Sequence, residues 1–425
     1  MASTEMPPAV APQAGPAAHD SFDVLILDAA SRQSLTTARR LGRAGLRVAL
    51  AECAADCGPS SSALSFRSRY SARNVVLPSV ATEPDAFADA VVAFARTYPT
   101  RVILPTADAG IAALAPRRAE LATLGARLAL APDAALLIAT DKDRTLAIAR
   151  DLGIDYPQTV RIAGVWDLPA AIDALGFPFV LKPTVSITRQ SAGRLYAVEV
   201  VNEVEALKVV QTHLSAGAGV LAQQWASGRR EGVTLLIADG EVRAACAHVA
   251  YRTSPALGGA SVLRESVPLA DDVHSAAVRL ATAIGLDGVC EVEFRRDADG
   301  RPLLMEVNAR LAGTIENAVH SGVDLPLMLW QWATGDPVPL TVRYRTGVRT
   351  RWLRGDLRWL RDNWGRAGRP DSMSRTRALV SFCAEFVRTF HYDCLDRRDP
   401  GPVLAELRTM TRGARKSRSP RTFPI

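Results

Sequence analysis

The stretch that most constrains this chain is Gly288–Arg310, which reads GVCEVEFRRDADGRPLLMEVNAR. Two short apolar runs flank a turn at 297–300, where Asp binds its own backbone and Gly tolerates a positive φ, so a β-hairpin is predicted. Side chains alternate between faces along a strand, so Glu293 can lie opposite Glu306, with Asn308 on the same face. Acids within apolar runs need partners, and Mg²⁺ favours oxygen ligands. We therefore predict a metal site at Glu293, Glu306 and Asn308; the alternative is a surface hairpin with solvated acids.

The composition is that of an ordinary globular protein. The 425 residues suggest two to four domains, with 48% hydrophobic and 22% charged residues. No apolar run approaches the roughly 20 residues that cross a membrane, so we expect no membrane partner. Residues 1–20 are rich in Pro and Ala and lack a basic start, which predicts a disordered tail and not a signal peptide. Six scattered cysteines favour reduced thiols and a cytoplasmic protein.

The net charge of +7 is unevenly distributed. From Thr341 onward the sequence holds 20 Lys and Arg against 8 Asp and Glu, a net charge of +12, whereas the remainder carries −5. Arginines there alternate with Trp352, Trp359 and Trp364, a pattern that can stack on RNA bases but more often forms an amphipathic helix packed on the body. We favour the helix and expect no nucleic-acid partner.

The N-terminal part predicts a parallel sheet. Residues 22–52 have the pattern of a β-α-β unit, and residues 101–110 repeat the step from strand to helix. The G-x-G-x-x-G fingerprint of dinucleotide binding is missing, so NAD is not predicted. Asp108 lies at a strand's carboxyl end, where it can face a ligand or cap the following helix.

Two lysines stand where an anion can be bound. Lys142 follows Asp141 at the predicted start of a helix, and Lys182 ends the apolar strand FPFVLK. A lysine at the end of an apolar strand needs an anionic partner or a path to water. Farther along, Arg252 and Arg264 flank the segment with Gly258-Gly259, and each can hold an anion or form a surface ion pair.

In combination these motifs resemble the ATP-grasp superfamily. The resemblance rests on Glu306-Val307-Asn308-Ala309-Arg310, on Asp141-Lys142, and on the strand that ends in Lys182. It covers roughly residues 22–340 and is closest to the carboxylate–amine ligase branch, with D-aspartate ligase-like and carbamoyl-phosphate-synthase-like proteins. The segment after Lys182 departs from the family, because TVSITRQSAGR holds one glycine, Gly193, where a glycine-rich flap is usual.

The resemblance implies a fold of mixed α/β and α+β class. A Rossmann-like domain would precede a two-lobed ATP-grasp domain, and a mainly helical basic region would follow. The boundaries that we predict are 1–20 for a disordered tail, 21–135 for the Rossmann-like domain, 136–338 for the ATP-grasp domain, 339–410 for the helical region and 411–425 for a disordered basic tail.

The resemblance also implies a role for each candidate residue, with ATP and Mg²⁺ as cofactors and Mn²⁺ as the alternative ion. Arg310 would stabilise an oxyanion, and Glu293, Glu306 and Asn308 would hold the metal. The implied nucleotide ligands are Lys142 and Lys182 for the phosphates, Gln223, the carbonyl of Gln224 and the amide of Ala226 for adenine, and Glu231 for the ribose.

The implied function is an ATP-dependent carboxylate–amine ligase that works through an acylphosphate. Its partners would be a small carboxylate and a small amine, and a homodimer is left open. Two alternatives remain at this stage. One is a carbamoyl-phosphate-type enzyme that uses bicarbonate, and the other is a nucleotide-binding regulatory protein without turnover, which the glycine-poor flap favours.

Overall fold

The structure is a computed structural model that describes residues 21–54, 63–188, 190–191, 194–255, 259–341, 343–366 and 369–416, with backbone alone for 411–416. The predicted N-terminal tail, Arg189, Gly193 and residues 417–425 lie outside this range. No helix within it is long and apolar enough to cross a membrane.

The first unit is a five-stranded parallel sheet with the strand order β3-β2-β1-β4-β5. The strand β2 is buried along its whole length and β1 along most of it, as expected for a parallel sheet covered by helices on both faces. This confirms the predicted β-α-β unit. The elements are β1 (Phe22–Ile26), α1 (Arg32–Arg43), β2 (Val48–Cys53), β3 (Ser71–Leu77), α2 (Pro84–Thr97), β4 (Thr100–Leu104), α3 (Asp108–Leu114), α4 (Arg118–Thr123), β5 (Arg127–Leu128) and α5 (Asp133–Ala139).

A four-stranded antiparallel sheet, here called the small lobe, follows with the order β6-β9-β7-β8. Ten fully buried apolar residues from the sheet and its two helices form its own core cluster, so it packs as a separate layer. The helix α6 leads into it. The elements are α6 (Lys142–Asp151), β6 (Thr159–Ile162), α7 (Leu168–Leu175), β7 (Phe179–Pro183), β8 (Val198–Val200), α8 (Glu203–Ser215) and β9 (Val220–Gln224).

The large lobe is built on a seven-stranded sheet with the order β14-β13-β10-β11-β12-β15-β16. Its strands β10 and β11 form a hairpin that turns at Asp239-Gly240, both with positive φ. Its core is continuous with that of the first unit. The elements are β10 (Arg230–Ala238), β11 (Glu241–Ser254), β12 (Ala260–Val267), α9 (Asp271–Ile284), β13 (Gly288–Arg296), β14 (Pro302–Asn308), α10 (Ile315–Ser321), α11 (Leu325–Thr334) and β15 (Arg349–Arg351).

The C-terminal region contains α12 (Leu353–Trp364), α13 (Arg375–Arg388), β16 (His391–Tyr392) and α14 (Gly401–Lys416). Trp359 packs on the body, as the amphipathic pattern predicts. The region is not purely helical, since β16 extends the large sheet beside β15. The helix α14 also continues past residue 411, where the basic tail was predicted to begin.

Buried ion pairs attach this region to the rest of the molecule. Asp393, which is fully buried, accepts from Arg264 at 2.8 Å and pairs with Arg32. Asp356 accepts from Arg252 at 2.7 Å. Breaking such pairs leaves a buried charge uncompensated at a cost of roughly 3–5 kcal/mol. Arg252 and Arg264 are therefore structural partners of the C-terminal region, and each forms a buried ion pair, not a surface one.

Candidate functional site

The hairpin of β13 and β14 brings the predicted acids together. Glu293 lies directly opposite Glu306, and Glu291 opposite Asn308, which confirms the predicted pairing of the two strands. Glu293 accepts a hydrogen bond from the Arg230 Nε at 2.7 Å and another from the Asn308 amide nitrogen at 3.2 Å. The two acids and the amide therefore form one cluster on the face of the sheet that looks toward the small lobe.

The two carboxylates titrate very differently. Burial and the negative charges of Glu306 and Glu291 raise the pKa of Glu293 to about 7. Together they outweigh the positive charge of Arg230, which acts in the opposite direction. Burial would also raise the pKa of Glu306, but Lys142 and the neighbouring cations outweigh it and lower that pKa to about 2. Paired carboxylates at close range cannot easily ionise together. The carboxylates of Glu293 and Glu306 therefore lack the positive charge that would let both of them ionise.

The donor set of this cluster fits a hard divalent cation. The described residues contain no group of three His, Cys, Asp or Glu that can hold a metal, so the third ligand must come from another residue type. The Asn308 amide oxygen is such a donor; it accepts from the Arg310 Nη2 at 3.2 Å. Two carboxylates and an amide oxygen match the oxygen ligands that Mg²⁺ takes. The metal role of Glu293, Glu306 and Asn308 stays a prediction.

The two predicted lysines both lie close to Glu306. Lys142 begins α6 after the N-cap Asp141, and its Nζ lies 3.3 Å from the Ser186 Oγ and 3.8 Å from the Glu306 Oε2. Lys182 lies near the end of β7, and burial lowers its pKa to about 8 despite the attraction of Glu306. A lysine that loses this much basicity by burial gains most from an anionic ligand.

A cavity of about 490 Å³ joins these groups to the predicted adenine hinge. Both lysines, both acids and residues 223–230 line it. Gln223 is buried, and its side-chain nitrogen donates to the Thr159 Oγ1 at 3.0 Å. Its Oε1 finds no hydrogen-bond partner within the described part of the chain. A ligand that donates a hydrogen bond to this buried acceptor would supply the partner that it lacks.

The hinge is held by an arginine that the sequence analysis did not single out. Arg295 donates to the backbone carbonyl of Ala226, and its guanidinium lies 5.5 Å from the ring centroid of Trp225. Gln224 also lines the cavity, and its backbone N–H donates to the Gln158 carbonyl at 2.9 Å. Arg295 and Gln158 therefore hold the backbone of the hinge, whose residues line the cavity.

The structure places Glu231 away from the cavity. Adjacent strand residues point to opposite faces, and Glu231 accepts from the Arg296 Nε at 3.0 Å on the far face of β10. Arg230 takes the position on the cavity side and pairs with Glu293. We therefore do not retain Glu231 as a ribose ligand. The alternation of side chains along the strand was the signal that was missed. When β10 is taken to begin at Arg230, this residue shares a face with Gly232, which lies opposite Glu293.

Arg310 is oriented by an acid from the first unit. Its Nε donates to the Asp108 Oδ1 at 2.6 Å, and Arg194 approaches the other Asp108 oxygen at 3.3 Å. Burial would raise the pKa of Asp108, but Arg310 and Arg194 outweigh it and lower that pKa to about 2. Asp108 makes no capping hydrogen bond to α3, whose N-cap is Ala107. The acid therefore joins two arginines.

The glycine-poor segment after β7 forms its own turn. Thr188 and Ser191 bond to each other, and Thr188 bonds to the Ala216 carbonyl, so these hydroxyls are used internally. Ser186 is different, since it lies beside Lys142 and lines the cavity.

Comparison with known proteins shows what this chain is similar to. A family model described as ATP-grasp in the biosynthetic pathway with Ter operon matches residues 240–355. The sequence is 27% identical over 207 residues to a D-alanine–D-alanine ligase of Chromohalobacter salexigens, a match that covers 44% of this chain. Over these parts of its length the chain is similar in sequence to ATP-grasp proteins.

Solved structures agree on the ATP-grasp fold. The chain resembles biotin carboxylase from Campylobacter jejuni with a TM-score of 0.61 and 16% identity over 77% of this chain and 74% of that chain. It also resembles the L-amino acid ligase of Bacillus licheniformis, with a TM-score of 0.58 and 18% identity over 74% of each chain. The match spans less than two thirds of the curated D-alanine–D-alanine ligases, namely 62%, 55% and 54% of their lengths.

The C-terminal region contributes to the wall of the cavity, a role that the sequence did not predict. Trp359 from α12 and Asp371, Ser372, Met373 and Arg377 line the wall beyond the hinge. Asp371 has a φ of +56° and lies 3.5 Å from Arg295, the residue that holds the hinge. One wall of the cavity is therefore formed by residues that come after the ATP-grasp fold in the sequence.

Proposed function

We propose that this protein is an ATP-dependent carboxylate–amine ligase that forms a C–N bond through an acylphosphate. The observation that carries the proposal is that Lys142, Lys182, Glu293 and Glu306 share one cavity with the hinge. Phosphoryl transfer depends on positioning and charge neutralisation more than on a reactive side chain. A cavity with cations and acids at one end and a free buried acceptor at the other suits a nucleoside triphosphate.

In this proposal each group has one task. The Gln223 Oε1 would accept from the exocyclic amine of adenine, and the Ala226 amide would donate to the ring. Lys142 and Lys182 would offset the charge of the phosphates. Neutralisation of the remaining phosphate charge would come from Mg²⁺ held by the side chains at 293, 306 and 308; Mn²⁺ is the alternative ion.

The proposed chemistry balances in two steps. A carboxylate oxygen of the substrate attacks the γ-phosphorus, and the bond from that phosphorus to the β,γ-bridging oxygen breaks to leave ADP. The amine nitrogen then attacks the acyl carbon, phosphate leaves, and the nitrogen loses a proton. Arg310 would bind the oxyanion of the tetrahedral intermediate, since a preorganised donor stabilises charge that develops in the transition state. Asp108 would hold that guanidinium in place.

Amino acids are the substrate class that we propose to test first. The curated relatives are D-alanine–D-alanine ligases, and one structural neighbour is an L-amino acid ligase. An amino acid offers both the carboxylate and the amine that the reaction needs. This choice rests on relatives and not on a substrate pocket seen in the chain.

A matrix of carboxylates crossed with amines, read by ADP release, tests the proposal. We expect release that requires one carboxylate and one amine together, and that falls sharply in Lys182→Ala. Lys208→Ala is the matched control, because Lys208 is an exposed lysine on α8 away from the cavity. Release with bicarbonate in place of the carboxylate would favour the carbamoyl-phosphate-type reaction. Tight ATP binding with no release from any pair would favour a regulatory protein.

A further inference from the structure

The helix α13 is buried on one face and exposed on the other. Ala378 and Phe382 pack in a core cluster with Trp359 and Leu360 of α12. The opposite face carries large apolar side chains that nothing in the described chain covers. They are Leu379, Val380, Phe386, Val387 and, just past the helix, Phe390, with exposed fractions of 46%, 63%, 51%, 74% and 79%.

These side chains form one continuous ridge. On a helix, residues spaced by three, four, seven and eight positions share a face. Residues 379, 380, 386, 387 and 390 have that spacing, and the exposed Cys383 lies between them. Single exposed apolar residues are ordinary, but an apolar ridge of this length marks a contact surface. We call these six residues the α13 ridge.

The exposed charges on α13 itself have one sign. Arg375, Arg377 and Arg388 are exposed on the same helix. Its one acid, Glu385, is buried and bonded to Arg349 and to the Thr389 hydroxyl. The C-terminal region as a whole carries a net charge of +12 from Thr341 onward. The occupant of the ridge must therefore be apolar at its centre and anionic around it.

These features select among the classes of occupant. A second copy of the chain would place the same arginines against each other, and like charges across an interface oppose association. A nucleic acid would meet the arginines but leave the apolar side chains in water or against phosphates. An anionic lipid surface satisfies both, because acyl chains accept protruding Leu, Val and Phe while lipid phosphates face the arginines.

We propose that the α13 ridge is a peripheral docking surface for an anionic membrane. The earlier expectation of no membrane partner rested on the lack of a spanning segment, and a helix that lies in the interface plane needs none. This proposal is independent of the ligase reaction, since the ridge takes no part in it.

Flotation of the full chain with lipid vesicles tests the proposal. The probes are vesicles of phosphatidylcholine alone and vesicles with about 30% phosphatidylglycerol. We expect binding to the anionic vesicles only, with at least a tenfold loss of affinity in Val387→Ser/Phe390→Ser and a smaller loss in Arg375→Gln/Arg388→Gln. Val204→Ser/Leu137→Ser removes two equally exposed apolar side chains elsewhere and should bind as wild type.

Two further readouts locate the contact. A polarity-sensitive dye on Cys383, with Cys57 changed to Ser, should shift to the blue with anionic vesicles, because the other described cysteines are buried. About 0.5 M NaCl should weaken binding, since it screens charges beyond several ångström. Circular dichroism and thermal melting of each variant report that it remains folded.

Three outcomes would overturn the proposal. Wild-type protein that does not float with anionic vesicles would do so, and so would binding that survives in Val387→Ser/Phe390→Ser. The third is a dimer in light scattering that forms more readily at high salt and is lost in the same variant, because this would assign the ridge to a second copy.

Discussion

Lys182 is the side chain whose surroundings say most about the site. Burial lowers its pKa to about 8, because the charged ammonium group loses solvation. A bound anion would offset that cost. The Lys182 Nζ lies 3.8 Å from the Met305 sulfur, which offers no charge. The ammonium group is therefore poised to bind phosphate oxygens.

A pH dependence follows from this lysine. Because the pKa lies below the ordinary lysine value, the charged form is present below about pH 8 and is lost as the pH rises through that value. We expect kcat/KM for ATP to fall above about pH 8, by roughly 10-fold to 100-fold, the value of a charge-assisted contact. Lys182→Arg should flatten this alkaline limb, because arginine keeps its charge. An unchanged limb in that variant would assign it to another group.

Individual residues were predictable where they followed a local rule. Alternation along a strand was enough to pair Glu293 with Glu306, and the end of an apolar strand was enough to single out Lys182. Arg230 and Arg295 escaped because their partners, Glu293 and the Ala226 carbonyl, lie 63 and 69 residues away along the chain. Glu231 was misplaced by one position, which on a strand reverses the face.

At the scale of elements, the link between the C-terminal region and the small lobe stands out. We call the segment after α12 the strap; the structure describes it at residue 366 and at 369–373. The strap connects the C-terminal region to the small lobe. Arg366 pairs with Glu199 of β8, whose side chain is fully buried, and Arg369 donates to Glu205 of α8 at 2.6 Å. The strap thereby connects the small lobe to the wall of the cavity.

The two strap arginines should differ in their effect on stability. Arg366→Ala leaves a buried carboxylate uncompensated and should lower the opening free energy of β8 and α8 by roughly 3 kcal/mol. Arg369→Ala breaks a half-exposed pair and should cost less than about 1 kcal/mol. Hydrogen exchange of peptides from these two elements measures both. Equal, small changes in the two variants would contradict a strap that holds the small lobe.

The elements themselves were mostly predictable, whereas the strap was not. Periodicity and turn residues predict the β-α-β unit and the hairpin of β13 and β14, since these depend on residues close in the chain. The strap depends on charges 164 and 167 residues apart, which no local pattern encodes. For the same reason the C-terminal region was predicted as helices, and the strand β16 in the large sheet was missed.

At the scale of the whole molecule, the site is assembled from every unit. The first unit supplies Asp108, the small lobe supplies Lys182, and the large lobe supplies Glu293, Glu306 and Arg310. The C-terminal region adds the last wall of the cavity. Our main claim is therefore that these units together bind ATP and transfer its γ-phosphoryl group to a carboxylate.

Glu306 is the residue whose removal bears most directly on that claim. Glu306→Gln keeps the shape of the side chain but removes a negative charge that interacts with both lysines. We expect Mg²⁺-dependent ADP formation to fall at least about tenfold, equivalent to roughly 1.4 kcal/mol at the barrier. Glu241→Gln, at an exposed acid on β11, is the matched control. Unchanged turnover at saturating Mg²⁺ would remove Glu306 from the site.

Positional isotope exchange in γ-labelled ATP tests the claim itself, with candidate carboxylates present and no amine. Reversible acylphosphate formation moves label between the bridging and non-bridging oxygens of the β,γ-linkage when the bound ADP phosphate can rotate. We expect scrambling that requires one particular carboxylate, persists in Lys208→Ala and vanishes in Lys182→Ala. The claim is contradicted by three results together. ATP binds tightly, no carboxylate in a broad panel gives scrambling, and no ADP forms when amines are added.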